Sequence, residues 1–268
     1  MNIAIQGQAG SFHEQAAAQW FKNNYDIIPC ATFSDVFTAY ETGEADAIVC
    51  AVENTIYGSI NEVYQLIEDC SAPLVGEVKL QINHQLIARS DATPKTITEI
   101  YSHPVALAQC REYLTAQYPN AELIEYFDTA GAVEFVKSLN ANTAAAVAGE
   151  QAARLYGLPI IAKNIQDNMH NHTRFLVLQD NDTSPQANRA ALVITTADKP
   201  GALAEVLNIF ATNSVNLEKL QSQPIIGQPW EYKFYLVVDT TGSKLRKIVS
   251  QIEKSDHAVT LLGEYVGA

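Results

Sequence analysis

A short polar run, Asn171-His172-Thr173-Arg174, stands directly before the apolar stretch that begins at Phe175. Arg174 presents a planar fork of donors suited to a carboxylate, and the Thr173 hydroxyl can donate to a leaving oxygen. By acidity alone His172 is the obvious proton donor near neutral pH. The same residues are also consistent with Arg174 in a surface ion pair beside solvated histidines. His170 and His172 would be only two ligands without acidic neighbours at metal-site spacing, so no metal site is read here. A second group, Glu53 and Asn54, closes an apolar run. Glu53 supplies a carboxyl that can exchange a proton, and Asn54 offers both donor and acceptor atoms. Glu53-Asn54-Thr55 also fits an ordinary turn, with Gly58 as a further turn residue. Ser11, Ser102 and Thr129 share a third setting, just past a strand and at the start of a helical stretch. Helix N-termini bind carboxylates through unpaired N–H groups and partial positive charge, although capping alone accounts for any single case. Pro104 suits the first helical position, which supports Ser102 or His103 as its cap. Several such starts at the C-terminal ends of strands favour a cleft. The pair Gly7 and Gly10 does not make a phosphate loop, because no Gly-Lys-Ser/Thr follows.

The elements that must position these groups alternate. NIAI, a helix over 12–22, DIIPC, a helix over 34–42 and DAIVCAVE predict a parallel α/β sheet. After EVKLQINHQLIA a second set follows: TEIYSH, a helix over 104–117, AELIEYF, a helix over 130–138, TAAAVA, a helix over 149–156 and PIIAKNI. Two α/β lobes are expected. DNDTSPQAN, residues 180–188, is polar and aperiodic and is read as a linker. Beyond it RAALVITT, a helix over 201–213, VNLEKLQSQ, WEYKFYLVVD, a helix over 243–254 and VTLLGEYV follow the order βαββαβ of a ferredoxin-like domain. Leu203, Val206, Leu207 and Phe210 fall at helical spacing, so that face is expected on the sheet.

The composition narrows the function classes. At 47% hydrophobic and 18% charged, with no uninterrupted apolar run of about 20 residues, the chain is read as globular, with no membrane partner. The net charge of -13 opposes nucleic acid, and any anionic ligand must be held by local donors. Cys30, Cys50, Cys70 and Cys110 form no CxxC pair and are read as reduced, structural thiols. MNIAIQGQAGSF lacks a basic region followed by a long apolar stretch, so no secretory signal is read and a cytoplasmic location is expected.

Taken together, these segments resemble the prephenate dehydratase family with a C-terminal ACT domain. GQAGSFHEQAA is similar to the family's GPxGSFSxxAA, and the stretch from Phe37 through AVENTIYG is similar to its segment ending in PxENSxxG. YSHPVALAQC resembles SHPQALxQC, and IQDNMHNHTRFLVL resembles IQDxxxNxTRF. Gln8 and Ala51 replace prolines, and Thr55 stands where serine is usual while keeping a hydroxyl. The middle position of NxTRF is free, which demotes His172.

The resemblance implies a two-lobed fold similar to type II periplasmic binding proteins over residues 1–180, with lobe 1 at about 1–77 and 164–180 and lobe 2 at about 78–163. An ACT domain is implied over 189–268. It implies conversion of prephenate to phenylpyruvate with loss of water and carbon dioxide, without cofactor or metal, because aromatisation of the ring drives both losses. Thr173, Glu53 and Asn54 are the catalytic candidates, with Thr173 as positioned donor and a protonated Glu53 as the runner-up acid. Ser11, Thr55, Gly58, Ser102, Gln109, Thr129, Asn171, Arg174 and Phe175 are the substrate-binding candidates, although Gln109, inside a helix, is also open to a structural role. In the C-terminal domain, DKPGALAEVL resembles the ACT family's PGAL(V) turn and NLEKLQSQP its NLxxIESRP, with Gln221 and Gln223 in place of the glutamate and arginine. Gly201, Ala202, Leu203, Asn216, Leu217, Gln221 and Ser222 would then frame a phenylalanine site between paired ACT domains, in a homodimer or homotetramer. Arogenate dehydratase and a non-catalytic metabolite sensor are the alternatives.

Overall fold

The computed structural model of the chain describes residues 1–180 and 186–268; most of the expected 180–188 linker lies outside them. The chain falls into two compact units, residues 1–58 with 79–175, and residues 59–78 with 176–268.

The first unit opens as the alternation predicts. β1 (Asn2–Gln6), α1 (Phe12–Phe21), β2 (Asp26–Cys30), α2 (Phe33–Glu41) and β3 (Ala47–Asn54) come in order. Both neighbours of β1 pair with it in parallel. Ser11 caps α1 and Thr32 caps α2 in a reciprocal capping box with Asp35. β4 (Gly58–Ser59), α3 (Asn61–Asp69) and β5 (Leu74–Gln81) then lead to the second lobe of the same unit. That lobe holds β6 (Gln85–Ala88), β7 (Glu99–Ser102), α4 (Pro104–Gln109), α5 (Arg111–Gln117), β8 (Glu122–Glu125), α6 (Thr129–Leu139), β9 (Ala144–Ala148), α7 (Glu150–Tyr156) and β10 (Ile160–Ala162). β11 (His172–Gln179) returns to the first sheet, whose order is β2-β1-β3-β11-β5 with β4 on β3. Ile82 donates its N–H to the Asn171 carbonyl, so the outgoing and returning passes run side by side.

The second sheet has the order β10-β6-β9-β7-β8 and is not wholly parallel. β7 runs parallel to β8 and β9, whereas β6 and β10 are antiparallel to their neighbours. Only β6, the chain's entry to the lobe, therefore runs against the others; β10 follows β9 through α7 and keeps the direction of β7, β8 and β9, as a βαβ crossover requires. The all-buried β9 shows why the lobe packs tightly. Ala145 and Val147 face Leu107 and Leu114, while Ala144, Ala146 and Ala148 face Val133 and Val136. Alternation puts helices on both faces.

The expected single helix over 104–117 is instead two, broken at Cys110. The cause lies in another segment: Asp167 accepts from the N–H groups of Glu112 and Tyr113 at 3.0 and 3.1 Å and donates its own N–H to the Gln109 carbonyl. A carboxylate there caps α5 from outside and fixes its start.

The Gly7 and Gly10 loop packs the two lobes together. Both glycines have positive φ, and a Cβ on Gly10 would stand 2.9 Å from the Cα of Ala152 in α7. Beside it the Gln8 N–H donates to Asp128 Oδ2 at 2.7 Å, joining this loop to the start of α6.

The second unit contains the βαββαβ order as read: β12 (Arg189–Thr195), α8 (Ala202–Thr212), β13 (Leu217–Pro224), β14 (Tyr232–Val238), α9 (Gly242–Glu253) and β15 (Ala258–Tyr265). Its antiparallel sheet has the order β13-β14-β12-β15. Val206 and Phe210 enter its core with Leu245, Ile248 and Ile252, but Leu203 and Leu207 stay half-buried and Ile209 packs in their stead. The other sheet face is covered by α3, which the sequence placed with lobe 1. The Tyr64 ring lies tilted against Tyr235 at 5.0 Å, and Lys233 reaches Gln65 at 2.7 Å and pairs with Glu68. The hydroxyl of the buried Tyr235, which donates to Glu68 at 2.6 Å, has its pKa pushed far up by burial. Glu77 pairs with Arg189 at 2.8 Å and so joins the same unit. Cys30, Cys50, Cys70 and Cys110 form no disulfide among the described residues.

Gly10→Ala is expected to lose about 2–4 kcal/mol of stability, since it combines a left-handed backbone with overpacking against α7. Gly43→Ala, at φ +77° with open space around it, should lose only about 1 kcal/mol. Urea unfolding of the two variants checks the difference; equal losses would mean that Ala152 yields.

Candidate active site

Three segments meet where β3 ends and β11 begins. The pivot is Asn54. Its Oδ1 accepts from the backbone N–H groups of Ile56 and Tyr57, both at 3.0 Å, which settles which end of the amide is oxygen. Its Nδ2 therefore donates, to Asn171 Oδ1 at 2.7 Å and to Thr173 Oγ1 at 3.0 Å. Thr55 secures the same corner: its hydroxyl donates to the His170 carbonyl at 2.8 Å and accepts from the His172 N–H at 2.9 Å. The Glu53-Asn54-Thr55 turn is thus tied to the polar run that closes β11. Asn171 in turn donates from Nδ2 to Gln109 Oε1 at 2.9 Å, and that oxygen also meets His84 Nε2 at 2.8 Å. Gln109 sits at the end of α4 because the helix breaks just after it, and it is buried.

Arg174 pairs with Glu53 through its terminal nitrogen, and its side chain is 10% exposed. This is a sheltered pair, unlike the solvated one open from sequence. Glu53 accepts from the guanidinium, which places it as an anion partner to Arg174 in preference to the protonated acid considered above. His172 is exposed.

The remaining candidates divide. Ser11 is buried and accepts from the Glu14 N–H at 3.3 Å. Ser102 is fully buried and donates to the Val147 carbonyl at 2.5 Å, and the helix after it is capped by His103, whose Nδ1 accepts from the Val105 N–H. Thr129 is the first residue of α6, and its cap is Asp128. That carboxylate accepts from Ala130, Gly131 and Gln8, so it occupies the donors that a ligand carboxylate would use. Phe175 is 1% exposed and lies edge-on to His13 at 5.1 Å, supporting the site from behind. Gly58, at φ +81°, is the turn residue expected.

Asp128, His13 and His84 were missed. His13 Nε2 accepts from the Ala51 N–H at 3.2 Å. A proline at 51 would have no such donor, so the departure at Ala51 is matched by the histidine beneath it. The local sequence could have shown Asp128 as the cap of α6, but not its bond to Gln8. Nothing local signals the roles of His13 and His84, whose partners Ala51 and Gln109 lie more than twenty residues away.

In the C-terminal unit Gly201, at φ +84°, opens α8, and Gly201, Ala202 and Leu203 line a hollow of about 270 Å³ with Trp230 and Tyr232. Asn216 lies within 3.4 Å of Glu218 and Asp239, and Leu217 starts β13 opposite Val238. Gln221 and Gln223 reach α3 and its approach: Gln221 Oε1 accepts from Ser59 at 3.0 Å, and Gln223 donates to the Asn61 carbonyl at 3.4 Å. Ser222 pairs with Phe234 in the ladder.

The model of the prephenate dehydratase family matches residues 3–183, and that of the ACT domain matches residues 190–257. The chain belongs to the prephenate dehydratase family and carries a C-terminal ACT domain. It is 35% identical over 270 residues to a bifunctional chorismate mutase/prephenate dehydratase of Aquifex aeolicus, covering 99% of this chain and 73% of that one. It is 37% identical to arogenate dehydratase/prephenate dehydratase 2, chloroplastic, of Arabidopsis thaliana, covering 99% and 72%. Among solved structures, a prephenate dehydratase of Arthrobacter aurescens in complex with L-Phe superposes with a TM-score of 0.88 at 28% identity, covering 99% and 90%. A protein described as GqqA, a novel type of quorum quenching acylase, superposes with a TM-score of 0.88 at 28% identity, covering 100% and 98%.

Burial lowers the pKa of both His13 and His84 from 6.5 to about 4, so both are neutral near pH 7. The folded value lies below the unfolded one. Stability is therefore whole above about pH 6.5 and falls as pH drops from there toward 4, by about 2 kcal/mol per histidine at pH 5. Urea unfolding across that window tests this. A flat profile would mean that these rings charge without cost.

Proposed function

We propose that this chain converts prephenate to phenylpyruvate, with Thr173 as hydrogen-bond donor to the departing ring hydroxyl. The observation that carries the assignment is the Asn54 Nδ2 donor on Thr173 Oγ1. It fills an acceptor site of the hydroxyl and leaves the threonine hydrogen to be given elsewhere. In the reaction the ring C–O bond breaks with its electron pair on oxygen, while the carboxylate's C–C bond breaks and its pair enters the ring. Carbon dioxide leaves, the ring becomes aromatic, and the departing oxygen takes up a proton to become water. A threonine hydroxyl is too weak an acid to ionise first. It stabilises the charge growing on the leaving oxygen, with solvent making up the proton, and such assistance is worth about 10²- to 10⁴-fold.

Asn54, Asn171 and Gln109 hold that hydroxyl in place, and Arg174 with its Glu53 partner forms the charged flank for a substrate carboxylate. A net charge of -13 makes such local donors necessary. The catalytic part is assigned to residues 1–180 and the regulatory part to 189–268. Phenylalanine is the effector, seated against the Gly201 turn, and the active form is a homodimer or homotetramer of cytoplasmic location. Among the described residues no helix is long and apolar enough to cross a membrane. Prephenate is preferred here over arogenate as substrate.

Incubating the purified protein with prephenate and, separately, arogenate should give the aromatic product chiefly from prephenate, with undiminished turnover in chelator. Product from arogenate alone would reassign the substrate, and none from either would favour a metabolite sensor. Thr173→Ala should lower kcat at least ~10²-fold with a smaller change in KM, and His172→Ala should do far less. A larger loss from the histidine change would move the donor role. Phenylalanine should bind and inhibit, with a coupling of about 1–3 kcal/mol. Calorimetry beside an inhibition curve measures it, and absence of both heat and inhibition would remove phenylalanine as effector.

A further inference from the structure

His84 stands at the far end of the amide chain that begins at Asn54, and it is almost wholly buried. Its place is rigid: the backbone N–H donates to Gln166 Oε1 at 2.9 Å, the carbonyl accepts from Ile165, and the ring lies edge-on to Phe12 at 5.5 Å. The direction of every bond in the chain follows from one end. Two backbone N–H groups hold Asn54 Oδ1, so Asn54 Nδ2 must face Asn171 Oδ1, and Asn171 Nδ2 must face Gln109 Oε1. An oxygen is then left facing His84 Nε2, which must carry hydrogen. If that nitrogen were bare, two acceptors would face each other in a buried site. Turning the Gln109 amide would set its NH₂ against that of Asn171, and turning Asn171 would set its NH₂ against Asn54, which its backbone partners hold fixed. The chain therefore admits one polarity. Among the described residues His84 Nδ1 is buried with no hydrogen-bond partner, as suits the nitrogen that carries no proton.

We propose that His84 is a positioning residue for the dehydration: as the Nε2–H tautomer it locks the Gln109 amide, and through Asn171 and Asn54 it keeps the Thr173 hydroxyl oriented as a donor. The proposal rests on the Thr173 reading, and His84 itself touches no reacting atom.

Two measurements test it. Proton–nitrogen correlation spectra of the ¹⁵N-histidine-labelled protein, with the His84 signal assigned by its loss in a variant, should show Nε2 protonated and Nδ1 bare near neutral pH. The opposite tautomer or a charged ring would overturn the proposal, and this readout needs no active variant. In kinetics, His84→Leu removes the donor and should lower kcat by about 10- to 100-fold with KM changed less than about 3-fold, whereas His84→Gln can supply an N–H near the same point and should recover most of the rate. Equal impairment of the two variants at matched thermal stability would leave only packing and overturn it, as would unchanged kcat in His84→Leu. In the Thr173→Ala background, His84→Leu should lose less than about 3-fold, because the residue through which it acts is gone. A full additional loss there would overturn the relay. If Thr173→Ala alone left kcat intact, the Thr173 reading would fall, while the tautomer would still be read directly from the spectra.

Discussion

One side chain sets the orientation of the site. Asn54 is held by two consecutive backbone N–H groups of its own turn, and that leaves its amide nitrogen as the donor shared by Asn171 and Thr173. A local turn, formed within four residues, thereby decides which way protons point across groups contributed by β11, α4 and the crossover after β5. In a buried polar chain of this kind each bond fixes the direction of the next, and a reversed member would leave like groups facing each other. The end of α4 at Gln109, the external cap from Asp167 and the placement of His84 therefore serve a single hydrogen-bonding pattern.

The charge problem has a related solution. An acidic protein that handles a dianion needs concentrated donors, and helix N-termini are the usual source. Here the start of α6 is already occupied by Asp128, which also takes the Gln8 N–H from the first lobe. That carboxylate acts as a lobe-to-lobe clasp, next to the close approach of Gly10 and Ala152. The Arg174–Glu53 pair lies in the other direction, at the junction of β3 and β11, and its partial burial gives it more electrostatic weight than an exposed pair would have.

In the C-terminal unit the ferredoxin-like sheet does not leave its second face to solvent. α3 covers it through Tyr64, Gln65 and Glu68, and the two lysines that point from β13 and β14 are buried there with partners. Gln221 and Gln223, which stand where the family's motif carries charges, bond to Ser59 and Asn61. The segment just past the Glu53-Asn54-Thr55 turn is thus in contact with the strand that bears the regulatory motif.

Much of this was legible in the chain. Periodicity and turn residues determined the two α/β lobes and the βαββαβ domain, because strand and helix periods are local properties. The motif residues around Asn54 and Thr173 could likewise be picked out by type and order. What the sequence could not determine were the partners. The break at Cys110 depends on Asp167, α3 joins the C-terminal unit through side chains far along the chain, and the buried roles of Phe175, Ser102 and Asp128 follow from packing. Glu53 could be read as an acid until Arg174 was found against it, and His84 had no reading at all until Gln109 was found beside it. Residue type states what a group is able to donate or accept; only the tertiary structure, by bringing distant groups within hydrogen-bonding distance and excluding water, decides which of those capacities is used.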